Sequence, residues 1–479
     1  MTGTVFAVPD SQDSVLSADI RRISRHSSGV TDSSVSTGEL QREYMSQPGL
    51  QAIRGAFVDF ADIAAENQSI SEQFRYLPDG LLVTDNGKIC SLTDWNDVTQ
   101  IPANAVFTDL QGKLIMPGFI DTHIHYPQTE MIAAYGEQLL EWLQQYTFPV
   151  ESQYGDPEYA AGMAEFFIRQ LFSHGTTTAL VFASVHPQSV DALFAEAEKY
   201  AMRLIAGKVM MDRHAPENLL ETPEQSVAQT QTLIERWHGK GRLGYAITPR
   251  FAPTSSPELL QQAGNLRNKY PGVWMQTHLS ENLRETELVR ELFPEQSSYL
   301  GVYHHYHLTG KRCVFAHCIH LQDSEWDCLQ HTESAISFCP TSNLFLGSGL
   351  FNLQRARQQK IPVGMGTDVG AGTSFSLLRT LGDAYKVQQL QSYRFNACEA
   401  FYHATLGGAH ALDLHPQIGN FAPGKEADFV VIDLQATPLQ ALRTSNSKDI
   451  LEQLFVLMTL GDERNILQTW VNGQCVWQQ

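Results

Sequence analysis

Four short apolar runs in this 479-residue chain turn to metal-ligand chemistry at their last residue, and that recurrence constrains the fold more than any other feature. The first is read as a single strand, in which Leu114, Ile115 and Met116 lead through Pro117-Gly118-Phe119-Ile120-Asp121-Thr122 into His123-Ile124-His125. Strand side chains alternate faces, so the two imidazoles share one side and can reach one ion. Residues 273–278 end at His278, with Glu281 shortly after; residues 313–317 end at His317; residues 361–368 end at Asp368. Ligands at the C-terminal ends of buried parallel strands are what a metal-dependent (β/α)₈ barrel requires, because its chemistry sits on that face. Alone, a His-x-His pair is often solvated or stacked, and a single His or Asp at a strand end is ordinarily a hydrogen-bonding or capping residue. Four such endings in order read as one metal site.

The intervening sequence supplies the rest of the barrel. Tyr159, Met163, Phe166, Phe167 and Leu171 recur at helical spacing and stop before Gly175, a helix-ending signal. Residues 176–182, 204–210, 243–248 and 335–338 read as further buried strands, which with the four above make eight, each separated by room for a helix. The expected architecture is an α/β (β/α)₈ TIM-type barrel over residues 115–415, with a small β-domain made from both chain ends, residues 50–114 and 416–479. Asn86-Gly87 and Asn472-Gly473, each between apolar runs, predict a hairpin in each half of that β-domain. Residues 1–49, with ten serines and no sustained periodicity, read as a flexible tail with room for a short helix over residues 39–45.

Composition narrows the function classes. A formal net charge of −19, from 33 Lys+Arg against 52 Asp+Glu, disfavours nucleic acid and anionic membrane as partners. No apolar run approaches the ~18 residues of a membrane span. The N-terminus lacks a secretory apolar core, and seven cysteines without framework spacing suit reduced thiols, so a cytoplasmic protein is expected.

Imidazoles with a carboxylate suit Zn²⁺, with Fe²⁺ or Mn²⁺ as substitutes. His123, His125, His278 and Asp368 are the expected ligands, leaving a position for water whose pKa bound zinc lowers from about 15.7 to about 7. Glu281 is placed to carry protons, and His317 to hydrogen-bond the nucleophile or a developing oxyanion.

The ordered set resembles the amidohydrolase superfamily through residues 117–125, His174-Gly175-Thr176-Thr177-Thr178, His278, His317 and Gly366-Thr367-Asp368. Within it, the chain resembles the guanine deaminase family over roughly residues 51–479, through Tyr126-Pro127-Gln128, Thr248-Pro249-Arg250-Phe251, residues 278–282 and the stretch 339–349. The resemblance implies one zinc ion per chain on His123, His125, His278 and Asp368, hydrolysis of guanine to xanthine and ammonia, and a homodimer. It implies that Gln128, Arg250 and Phe251 hold the purine, with His278, Glu281 and Asp368 also facing it. Glu281 would be the proton shuttle, while Asp368 and His317 orient the nucleophile that attacks C2.

Each of these residues has a plainer role open to it. Gln128 suits a turn, Arg250 a surface ion pair, Phe251 the core, and Glu281 a cap on the helix beginning near Asn282. The superfamily's two-metal members bridge their ions with a carbamylated lysine on the fourth strand. Residues 243–248 contain no lysine, which favours one metal, and Lys208 on the third strand is the nearest candidate for a bridge. The other zinc-deaminase pattern is unsupported, since His331-Thr332-Glu333 is followed by no Cys-x-x-Cys. The main rival is a sister amidohydrolase acting on another aminated or halogenated heterocycle. A non-catalytic barrel is disfavoured because such proteins usually lose ligands.

Overall fold

The computed structural model describes residues 49–62, 69–135 and 138–479. Residues 1–48, and with them the helix expected over residues 39–45, lie outside the described residues. Among the described residues, eight parallel strands close a barrel: Phe119–His125, Thr176–Phe182, Arg203–Gly207, Gly244–Pro249, Trp274–Leu279, Cys313–His317, Ala335–Phe338 and Val363–Met365. Met365 pairs back to Asp121 and so closes the ring. Nearly every residue of these strands is buried. With side chains packed inside and helices outside, they have no solvent face, which is why they read as continuous apolar runs rather than alternating ones.

The helix Pro157–Ser173 shows how the outer layer is specified. The Asp156 carboxylate accepts from the Glu158 amide at 2.9 Å, and Pro157 fills a first-turn position where no amide is needed. Its buried face is Ala160, Ala164, Phe167, Ile168 and Leu171, whereas Phe166 is 50% exposed. The stripe is therefore rotated towards the small residues, which let the helix lie close to the barrel. Gly175 follows at φ +81°, the left-handed conformation that ends a helix cheaply only with glycine.

Both chain ends meet in a second, seven-stranded mixed sheet, ordered Gln474–Gln478, Ile466–Val471, Phe429–Ile432, Val106–Pro117, Gln51–Phe60, Phe74–Asp85 and Lys88–Asp94. Asn86-Gly87 and Asn472-Gly473 form its two hairpin turns, with φ of 48° and 75°, and 51° and 76°. Two consecutive positive φ values match the twist of the flanking strands.

The first ligand-bearing strand departs from expectation. The run from Leu114 to His125 is two strands in two sheets. Val106–Pro117 belongs to the small sheet, pairing with Gln51–Phe60 and Phe429–Ile432, and the barrel begins only at Phe119. The boundary therefore falls after Pro117 rather than at residue 115. The chain crosses between sheets at Gly118, where a Cβ would lie 2.0 Å from Thr177 Oγ1, so only glycine fits. Both halves are buried and apolar, and composition alone could not mark the break. Among the described residues, no helix is long and apolar enough to cross a membrane.

Candidate active site

The four expected ligands converge at the C-terminal mouth of the barrel. Asp368 Oδ1 lies 3.2 Å from His123 Nε2 and 3.3 Å from His125 Nε2, while His125 Nε2 and His278 Nε2 are 3.1 Å apart. One ligand atom from each of these four residues falls within 4.8 Å of the others, in a nearly fully buried cluster. Burial holds the His123, His125 and His278 rings below their usual range, His125 down to about 4, so at neutral pH they are uncharged and offer lone pairs. Burial pushes Asp368 up, but the adjacent histidines outweigh it and hold the carboxyl well below its usual value.

The donor chemistry fits a cation. His278 Nδ1 donates to the Arg250 carbonyl at 2.7 Å, which leaves the Nε2 lone pair pointing into the cluster. His123 Nε2, though close to Asp368, makes no hydrogen bond among the described residues. Lone pairs and a carboxylate facing one another in a buried space repel unless a positive ion sits between them. Asp368 has φ +52° and His317 φ +70°, conformations non-glycine residues seldom adopt. Asp121 holds the base of the site, accepting from the His123 and Thr367 amides at 3.1 Å each and from Thr367 Oγ1 at 2.5 Å.

Glu281 does not cap the following helix. Asn282 Oδ1 accepts from the Arg284 amide at 2.9 Å, and Glu285 accepts from the Glu281 and Asn282 amides at 2.9 and 3.1 Å. The Glu281 carboxyl turns instead into the site, 3.4 Å from Ser348 Oγ and 3.5 Å from His317 Nε2. Burial, reinforced by the charge of Asp368, pushes it up to about 8, which favours the protonated form. His317 is held through Nδ1 by Asn343 Oδ1 at 2.8 Å, and its Nε2 lies 3.8 Å from Asp368 Oδ2.

A cavity opens onto this cluster and is lined by Gln128, Arg250 and Phe251 together with His125, His278, Glu281, His317 and Asp368. Arg250 is no surface residue: it is 2% exposed, and its Nη1 donates to Glu151 Oε2 at 2.7 Å. Gln128 Nε2 donates to the other oxygen of the same carboxylate at 3.0 Å. Lys208, the nearest candidate for a bridging lysine, is engaged by Glu221, Ser226 and the Val209 carbonyl, none of them in the ligand cluster. His331 lies on the surface, bonded to the Asp327 carbonyl.

Several groups at the site are not legible in the sequence. Glu151 sits in a segment with no motif, and only the fold brings it to Gln128 and Arg250. Leu139, Trp142 and Leu143, from the same segment, wall the cavity. Asn343 and Ser348 lie in the stretch 339–349, which carries the family resemblance without pointing to a role for either. Cys339 lies near His317 and Asp368, but burial pushes its thiol well up, so it remains an S–H.

The amidohydrolase family model matches residues 114–476, which spans the barrel and the returning C-terminal strands. The chain belongs to the amidohydrolase family. The guanine deaminase of Escherichia coli (strain K12) is 58% identical over 431 residues, covering 90% of this chain and 98% of that protein. The solved structure of the E. coli guanine deaminase matches with a TM-score of 0.88, covering 90% of this chain and 100% of that one. A crystal structure of guanine deaminase from C. acetobutylicum with bound guanine in the active site matches at 0.80 and 30% identity, again over 90% of this chain and 100% of that one. Within the amidohydrolases, this chain therefore groups with the guanine deaminases.

Proposed function

We propose that this protein hydrolyses guanine to xanthine and ammonia at a site holding one zinc ion per chain. One observation carries the reading: the His/Asp cluster, Glu281 and the Gln128–Arg250 pair all open onto one cavity. His123, His125, His278 and Asp368 would hold the ion, and zinc on such a set lowers the pKa of a coordinated water to about 7, which makes hydroxide available at neutral pH.

The protein's own groups then have distinct tasks. Arg250 N–H groups face the purine carbonyl, Gln128 meets the adjacent ring edge, and Phe251 covers a face of the ring. Glu281, whose burial favours the protonated form, gives its proton to the ring nitrogen beside C2 as water oxygen bonds to that carbon. Glu281 then passes one proton of the attacking water to the exocyclic amine, which leaves as ammonia when the C–N bond breaks, and takes up the other as the C2–OH becomes the xanthine carbonyl, which restores its starting state. His317, fixed by Asn343, and Asp368 hold the nucleophile on the C2 side. Leu139, Trp142 and Leu143 keep bulk water from the reacting edge.

The family resemblance supports a homodimer, which sedimentation equilibrium tests. The seven cysteines, all free thiols and most of them shielded from solvent, support the reducing cytoplasm as its compartment, which imaging of a fluorescent fusion tests. The activity itself is tested by following guanine loss and ammonia release with adenine and cytosine controls. Comparable kcat/KM for adenine and guanine would defeat the guanine assignment.

A further inference from the structure

The carboxylate of Glu151 lies under both residues assigned to the purine edge. It is 1% exposed, at the end of the short helix Phe148–Glu151, and it accepts from Gln128 Nε2 at 3.0 Å and from Arg250 Nη1 at 2.7 Å. The Phe148 ring of the same helix packs against the Arg250 guanidinium, 5.4 Å from its centroid. A carboxylate accepts and never donates. It therefore fixes which end of the Gln128 amide faces it. Nε2 must point at Glu151, and Oε1, which has no donor among the described residues, is turned away from that carboxylate and lies over Gly370, where a Cβ would come within 2.0 Å of it, beside the cavity-lining Ala371.

We propose that Glu151 is a positioning and specificity residue, which sets Gln128 as an acceptor and Arg250 as a donor side by side on the cavity wall. That pair complements a lactam edge, a ring N–H beside a C=O, as in guanine. It opposes an amidine edge, a ring nitrogen lone pair beside an amino group, where acceptor would face acceptor and donor would face donor. Sites built around a substrate's hydrogen bonds reject analogues that invert them far more strongly than apolar pockets reject a missing group. The negative charge of Glu151 also balances Arg250, so this pair offers donors to an uncharged purine without a net charge of its own. This inference rests on the proposed guanine hydrolysis and deepens it.

The test is Glu151→Gln, which keeps size and shape but brings a donor. If the oxygen of the introduced amide takes the Arg250 contact, its N–H₂ faces Gln128 and turns that residue's amide round. Guanine kcat/KM should fall on the order of 10²-fold, mostly through KM, because the reacting groups are untouched. Inhibition by 2,6-diaminopurine, which carries the inverted edge, should strengthen relative to guanine binding by about tenfold or more, with metal content unchanged and a lowered Tm, because Arg250 loses its buried counter-charge. Glu151→Asp, which keeps an acceptor-only group, should retain the preference for guanine. In a Gln128→Ala background the effect of Glu151→Gln on selectivity should shrink, because the residue acts through Gln128. Parent-like selectivity in folded, metal-loaded Glu151→Gln would overturn the proposal. If that variant does not fold, Gln128→Leu carries the test: loss of the lactam preference supports the proposal, and retention overturns it. Absence of guanine turnover in the unmutated protein sinks the functional reading as a whole, whereas turnover with unaltered selectivity in the variants sinks this inference alone.

Discussion

Replacing Arg250 by Met separates substrate recognition from metal binding, because the residue takes part in each through different atoms. Its guanidinium pairs with Glu151 at 2.7 Å and lines the cavity, while its backbone carbonyl accepts from His278 Nδ1 at 2.7 Å. Arg250→Met removes the first and keeps the second, so His278 should hold its orientation and the metal should stay. A hydrogen bond from a charged donor is worth about 1.5–3 kcal/mol, which is roughly ten- to 150-fold in kcat/KM. Glu151 would then face the purine carbonyl uncompensated, which adds to the loss, so the expected fall is on the order of 10² to 10³. Both partners are almost fully buried, and stranding one charge of such a pair costs about 3–5 kcal/mol of folding stability. The assay is threefold: guanine consumption by absorbance, zinc by elemental analysis, and urea unfolding. Metal lost in step with activity, or a kcat/KM within about threefold of the parent, would refute the division of labour between side chain and carbonyl.

Further tests address the chemistry and the scaffold. Glu281→Gln keeps shape and polarity but carries no proton, so metal should remain while kcat falls by about 10² to 10⁴; a near-parent kcat would remove Glu281 from the proton path. His123→Ala, His278→Ala and Asp368→Ala should each lose metal and activity together, as should treatment with a strong chelator, and full activity in a rigorously metal-free preparation would contradict the ligand assignment. His403, buried and bonded through Nδ1 to the Val363 carbonyl, is pushed by that burial down to about 4, against about 6.5 for an exposed imidazole. Below pH 6.5 the unfolded chain takes up a proton that the folded one refuses until about pH 4, so stability present at neutral pH drains away across that window, by up to about 3 kcal/mol. Urea midpoints at pH 7 and pH 4.5 should show this loss, and it should shrink in His403→Gln.

The barrel was legible because a strand buried on both faces must be apolar along its length, and a ligand at its end interrupts that run visibly. Thr176–Phe182 and Ala335–Phe338 fall where the sequence places them, and the two Asn-Gly turns form where their φ requirement points. The change of sheet at Gly118 was not legible, because buried strands in different sheets have the same composition; only the close approach of Thr177 distinguishes them. The site divides in the same way. His123, His125, His278 and Asp368 lie at strand ends that announce themselves. Whether Glu281 capped a helix or faced the cavity depended on Asn282 and Glu285 already serving the helix start. Glu151 depends on the three-dimensional path of residues 138–155, and its neighbours in sequence carry no sign of what it meets.

The most direct measurement is a steady-state assay of purified, zinc-loaded protein with guanine, reading xanthine and ammonia together. The account predicts one xanthine and one ammonia per guanine consumed, saturable kinetics, and a kcat/KM for adenine lower by about 10⁴ or more. Absence of xanthine formation from guanine by metal-loaded protein, or equal turnover of adenine, would contradict it.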